Sequence, residues 1–225
     1  MAVDAPGRGA VFEADPRRTV GYRMARAIFQ AIAGLWFRPL VTGRANVPAE
    51  GPVILAPVHR SFADFGFCAF VTDRKLFFMT KDEMWRHRSL GWLLLHLGAF
   101  PVHRESADRE ALRHAEEVLR RGQVLVLFPE GTRQEGETVD HLQEGAAFLA
   151  ARTGAVIVPV GIGNSDLAMP KGRRIPKPLR IRVVVGRPMA APERSEGGRV
   201  SRSRVHQATA TLRDEVQRVY DQARR

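Results

Sequence analysis

Short apolar runs, each closed by a turn or a loop, constrain this chain more than any other feature. Val53-Ile54-Leu55-Ala56, Val124-Leu125-Val126-Leu127-Phe128 and Val156-Ile157-Val158-Pro159-Val160-Gly161-Ile162 are too brief for long helices and read as buried strands. Further strands are expected at 41–44, 75–79 and 179–185. Helical segments lie between them. Residues 108–121 place Ala111, Ala115, Val118 and Leu119 on one side and end at Gly122, a C-cap residue. Residues 142–151 form a helix closed by Gly154, 62–70 an apolar helix, and Lys81 opens another. A terminal helix over 200–225 carries Val205, Leu212, Val216, Val219 and Tyr220 as its apolar positions. Strands alternating with helices predict an α/β fold, a largely parallel sheet flanked by helices. The 225 residues, 44% of them hydrophobic, suit one such domain over 41–225 with a helical appendage.

The appendage precedes the domain. Residues 1–16 contain Pro6, Gly7, Gly9 and Pro16 and read as a flexible tail. Over 17–40, Val20, Met24, Ile28, Ala31, Ile32, Leu35 and Trp36 recur at three- and four-residue spacings, the pattern of an amphipathic helix. Arg17, Arg18, Arg23, Arg26 and Arg38 accompany them. Such a helix, with Trp36 and Phe37 near one end, suits a membrane interface; it equally suits packing of its apolar face on the core. Both readings stay open at this point.

Charge narrows the partners. A formal net charge of +11 calls for an anionic surface or ligand: a membrane, a nucleic acid or a phosphorylated substrate. The aromatic-plus-basic spacing of an RNA-binding sheet is missing, so no nucleic-acid partner is expected. The single cysteine, Cys68, rules out an internal disulfide framework and points to a reducing compartment. The first residues do not read as a signal peptide, and no run reaches the roughly eighteen uncharged apolar residues of a membrane span. Leu90–Leu97 is almost wholly apolar but too short to cross a bilayer. The expectation is therefore a peripheral protein at the cytoplasmic face of a membrane.

The polar residues that carry chemistry follow the apolar strands. His59 comes just after the 53–56 run, with Asp64 five positions on. Histidine exchanges a proton near neutral pH, and a carboxylate beside it fixes its tautomer and stabilises its protonated form. Ser61 is placed to cap the following helix. Arg104 follows the Gly98-Ala99-Phe100-Pro101 turn. Glu130-Gly131-Thr132-Arg133 follows the 124–128 strand, where Gly131 permits a positive φ and an arginine fork suits a phosphate. In open α/β sheets, sites form beyond the carboxyl ends of strands, so these groups can share one cleft. Ser61 as a covalent nucleophile would need a different setting, since no G-x-S-x-G elbow is present. The remaining histidines form no metal-ligand pattern, and Gly161-Ile162-Gly163 is only a fragment of a dinucleotide fingerprint.

Taken together, these segments resemble the glycerolipid acyltransferase family, the lysophosphatidic acid acyltransferases in particular. His59 and Asp64 meet its H-x-x-x-x-D motif. Gly98, Phe100 and Arg104 look like its second motif. Phe128-Pro129-Glu130-Gly131-Thr132-Arg133 matches its F-P-E-G-T-R motif in full, and Val158-Pro159-Val160 looks like its fourth. The likeness extends over about residues 40–190. Two positions depart from it. Val58 stands where many relatives have asparagine, and Leu142-Gln143-Glu144-Gly145 lacks the lysine that many have there.

The resemblance implies transfer of an acyl chain from a thioester to a lysophospholipid hydroxyl, with 1-acylglycerol-3-phosphate as first candidate and phosphatidic acid as product. His59 would act as general base, oriented by Asp64. Backbone N–H groups near the start of the next helix are candidates to stabilise the oxyanion. Arg104 and Glu130, Gly131, Thr132 and Arg133 would bind the acceptor's glycerol phosphate, and Pro159 would help shape the acyl site. The donor would be acyl-CoA or an acyl carrier protein, with no metal or bound cofactor. The departure at Gln143 keeps other lysophospholipids or a non-phosphate alcohol open as acceptors. The charge keeps a non-catalytic basic membrane- or nucleic-acid-binding module as the rival from another class.

Overall fold

The apolar runs at 53–56, 124–128 and 156–162 become strands at the middle of one sheet. The computed structural model describes residues 16–81, 99–102, 107–170, 175–194 and 200–225. Its strands are β1 (Leu40–Thr42), β2 (Val53–Pro57), β3 (Leu76–Lys81), β4 (Ala99–Val102), β5 (Val124–Val126), β6 (Val156–Gly163) and β7 (Arg182–Val185). They lie in the order β1-β7-β6-β2-β5-β3-β4. Every pairing is parallel except β6 with β7, so β1 and β7 run against the other strands. β2 is buried along its whole length, as its unbroken apolar run requires. The sheet is thus the largely parallel one expected.

The helices are α1 (Pro16–Phe37), α2 (Asp64–Phe67), α3 (Ala107–Arg120), α4 (Gly145–Thr153), α5 (Ser165–Ala168) and α6 (Arg202–Arg224). Gly122 and Gly154 take φ of 68° and 75° just after α3 and α4, where an L side chain would be strained. The helix expected over 62–70 is shorter: α2 passes into a 3-10 turn at Cys68–Phe70. The region of the second motif contains a strand, β4, that its sequence did not announce. The tail over 1–15, the helix expected after Lys81, the apolar run 90–97, Gly98 and Arg104 lie outside the described residues.

The two long helices are held differently. α6 buries Val205, Leu212, Val216, Val219, Tyr220 and Ala223. It lies so close to β6 that a Cβ on Gly161 or Gly163 would overlap the backbone carbonyl of Val219 or Ala223. That close approach, and not a nucleotide, is what these glycines serve. α1 does the reverse. Val20, Met24, Ile28, Ile32, Leu35 and Trp36 are exposed, Leu35 at 85%. Its inner face is Tyr22, Arg26, Phe29, Ala33 and Phe37. Phe37 packs edge-on against Phe67 with ring centres 5.2 Å apart, so it is not the interfacial aromatic anticipated. The buried Arg26 donates to the carbonyls of Ala69 at 2.6 Å, Arg74 at 2.9 Å and Thr72, and Gln30 donates to Ala69 O at 2.7 Å. Among the described residues no helix is long and apolar enough to cross a membrane.

Candidate active site

Parallel pairing explains how distant segments meet. β2 and β5 are neighbours in register, Val53 opposite Val124 and Leu55 opposite Val126, so they end at the same edge of the sheet. The chain leaving β2 carries His59, and the chain leaving β5 carries Glu130. On the other side of β2, Val58 N–H donates to Val160 O of β6 at 3.0 Å, extending the sheet up to the histidine.

His59 Nδ1 lies 3.1 Å from Asp64 Oδ2. The same oxygen accepts the backbone N–H of Arg60 at 2.7 Å and of Ser61 at 2.6 Å. The loop therefore curls around a fully buried carboxylate, while the histidine side chain keeps 19% of its exposure. Asp64 Oδ1 has no hydrogen-bond partner among the described residues. The His59 ring stacks on Phe128, with centres 4.1 Å apart at 29°. With Nδ1 committed to Asp64, Nε2 is the nitrogen left to meet a ligand. The N–H groups of Arg60 and Ser61 are likewise engaged by Asp64.

Glu130 is placed differently from the substrate-facing position expected of it. Its side chain is buried; Oε2 accepts the His59 backbone N–H at 2.7 Å and Oε1 accepts Arg60 Nη1 at 2.5 Å. Both oxygens are thus occupied by protein donors, behind the site. Arg60, which sequence reasoning passed over, is equally buried. Its Nε donates to Gly136 O at 3.0 Å and Nη2 to Thr138 O at 2.9 Å. Its guanidinium sits 5.1 Å from the centre of the Tyr220 ring of α6. Only a signal spanning seventy residues would have revealed this pair, and one sequence contains none.

The turn after Glu130 faces outward. Gly131 takes φ of 72°, and Gly131, Thr132 and Arg133 are all exposed beside the His59 loop. Gln134 N–H donates to His59 O at 2.9 Å, a second tie between the two loops. Gln143 donates its backbone N–H to Pro129 O at 2.7 Å and lies alongside Gly131. Pro159 is buried within β6, opposite Ala56 in β2 and beside Gly186. Ser61 is not a helix cap: Ala63 precedes α2, and Ser61 Oγ donates to Met169 O at 3.0 Å. Burial, reinforced by the charge of Asp64, pushes the Cys68 thiol far above its ordinary range, so it is no nucleophile here.

Comparison with known proteins bears on this geometry. A family model described as Acyltransferase matches residues 38–163. A 1-acyl-sn-glycerol-3-phosphate acyltransferase of Streptococcus pneumoniae is 34% identical over 113 residues, 49% of this chain and 41% of that protein. A lyso-ornithine lipid O-acyltransferase of Pseudomonas aeruginosa is 30% identical over 131 residues, 58% of this chain and 49% of that protein. The crystal structure of the 1-acyl-sn-glycerophosphate acyltransferase of Thermotoga maritima superposes with a TM-score of 0.74, covering 96% of this chain and 86% of that one at 22% identity. The chain spans about half the length of the curated relatives it matches.

Proposed function

The chain belongs to the acyltransferase family, and from that premise we propose that it moves an acyl group from a thioester to a lysophospholipid hydroxyl, with 1-acylglycerol-3-phosphate as acceptor. The observation that carries the reading is the His59–Asp64 contact of 3.1 Å through Nδ1, next to the exposed Gly131-Thr132-Arg133 turn. In this reading Nε2 takes the acceptor's hydroxyl proton as the oxygen attacks the thioester carbonyl carbon. Asp64 stabilises the imidazolium that forms. The tetrahedral intermediate collapses, the carbon–sulfur bond breaks, and the imidazolium returns its proton to the departing thiolate. Thr132 and Arg133, with Arg104, bind the acceptor's phosphate, since hydroxyl and guanidinium donors suit its oxygens. Acyl-CoA and an acyl carrier protein both fit a basic protein as donor. The enzyme works from the cytoplasmic face of the membrane, resting the exposed apolar side of α1 on an anionic lipid surface.

The test is turnover by purified protein with each donor and a panel of acceptors. Activity on 1-acylglycerol-3-phosphate that falls about 10²–10⁴-fold in a folded His59→Ala variant supports the proposal; full activity in that variant overturns the mechanism. A second reading keeps the chemistry and changes the acceptor to another lysolipid. Two observations favour it: the uncharged Gln143 beside Gly131, and the similarity to an enzyme named for lyso-ornithine lipid. Faster turnover of a lysolipid without a phosphate monoester would decide for it.

A further inference from the structure

We propose that Arg60 is a positioning residue: it fixes the backbone of His59 against the turn that presents Thr132 and Arg133. The inference rests on the acyl-transfer reading and names a part of that site which the motif residues do not include. The links converge on the pair that the guanidinium makes with Glu130. Nη1 meets Glu130 Oε1 at 2.5 Å and lies 3.3 Å from His59 O, while Oε2 of the same carboxylate holds His59 N–H at 2.7 Å. Both backbone polar groups of His59 are therefore tied to the Arg60–Glu130 pair. The other guanidinium nitrogens hold Gly136 O and Thr138 O, the far end of the segment that begins at Glu130. That segment is pinned at both ends, and the exposed turn lies between the pins. Tyr220 covers the guanidinium and in turn accepts a hydrogen bond from Arg224 at 3.1 Å, so α6 closes the back of the assembly.

Arginine suits this task because its planar fork serves several acceptors in fixed directions at once. A lysine ammonium is a point charge that can meet Glu130 but does not reproduce the fork. Misplacement of a general base by about 1 Å can lower a rate on the order of 10²-fold. Arg60 touches neither substrate nor the reacting atoms in this scheme, so its loss acts on turnover through His59.

Arg60→Lys is the primary variant and Arg60→Met the severe one, with Glu130→Asp as an independent shortening of the same link. Two readouts are made on folded protein at a temperature well below unfolding. The first is steady-state kinetics per folded molecule. Arg60→Lys should lose about tenfold in kcat and Arg60→Met about 10²-fold, with donor KM changed less than about threefold. The second needs no activity: the His59 imidazole resonances in NMR should shift or broaden in Arg60→Lys and Glu130→Asp. Unaltered kcat and unaltered His59 resonances in folded Arg60→Lys overturn the proposal. So does a loss of activity that merely tracks the unfolded fraction. If the parent protein transfers acyl groups to no acceptor, the acyl-transfer reading fails, and the resonances alone decide whether Arg60 positions His59.

Discussion

α1 and α6 are the two long helices among the described residues, 22 and 23 residues, and both repeat apolar residues at helical spacing. α6 turns that face inward, onto a strand whose glycines let its backbone approach. α1 turns the corresponding face outward and is held from within by Arg26, Gln30 and a few aromatic contacts. Helical amphipathicity therefore says that a face seeks cover without saying what covers it. In α6 the cover is the sheet. In α1 the row from Val20 to Trp36 is exposed, and the cover proposed for it is an anionic lipid surface, which the net charge of +11 suits.

The contrast is sharpest in paired truncations. Leu212→Ala, in α6, should cost about 2–5 kcal/mol of unfolding free energy, whereas Ile28→Ala, in α1, should stay within about 0.5 kcal/mol. Urea denaturation of both variants measures the difference; equal losses would mean that α1 buries its apolar row after all. Gly161→Ala comes next. The added methyl meets the Val219 backbone, which cannot swing aside as a side chain would, so about 1–3 kcal/mol should be lost. A neutral result would show that α6 can shift outward freely.

Arg26→Met tests how α1 is attached. It strips donors from the Ala69, Thr72 and Arg74 carbonyls and should cost about 1–3 kcal/mol. Arg26 therefore cannot serve as a membrane-facing charge, as the sequence suggested. The smallest effect belongs to Arg23, which is exposed on α1. Arg23→Gln should leave folding unchanged and weaken binding to anionic vesicles at low salt by about 1 kcal/mol, roughly fivefold. Ile28→Ser with Ile32→Ser should weaken it further, at low and high salt alike. Undiminished flotation of that double variant would place the lipid contact elsewhere.

Local pattern carried much of the architecture. Apolar runs of strand length, closed helices and the caps at Gly122 and Gly154 depend on neighbours a few residues away, and those neighbours are visible in one chain. The same holds for His59 and Asp64, which need only one short loop to meet. Gly131 belongs here too, since its positive φ is a property of a single turn.

Long-range partners were beyond that reach. Nothing local singled out Arg60, because burying a guanidinium depends on a carboxylate seventy residues later, and parallel pairing of β2 with β5 brings the two together. Glu130 looked like a ligand for substrate until both its oxygens found protein donors. Gly161 and Gly163 acquired their meaning from a helix that begins some forty residues later. The sequence alone determined most of the strands and helices, though not β4 or α5, since backbone conformation and periodicity are local. Only the tertiary structure decided which face of each helix is covered and which charges are buried, because those depend on what the fold sets opposite them.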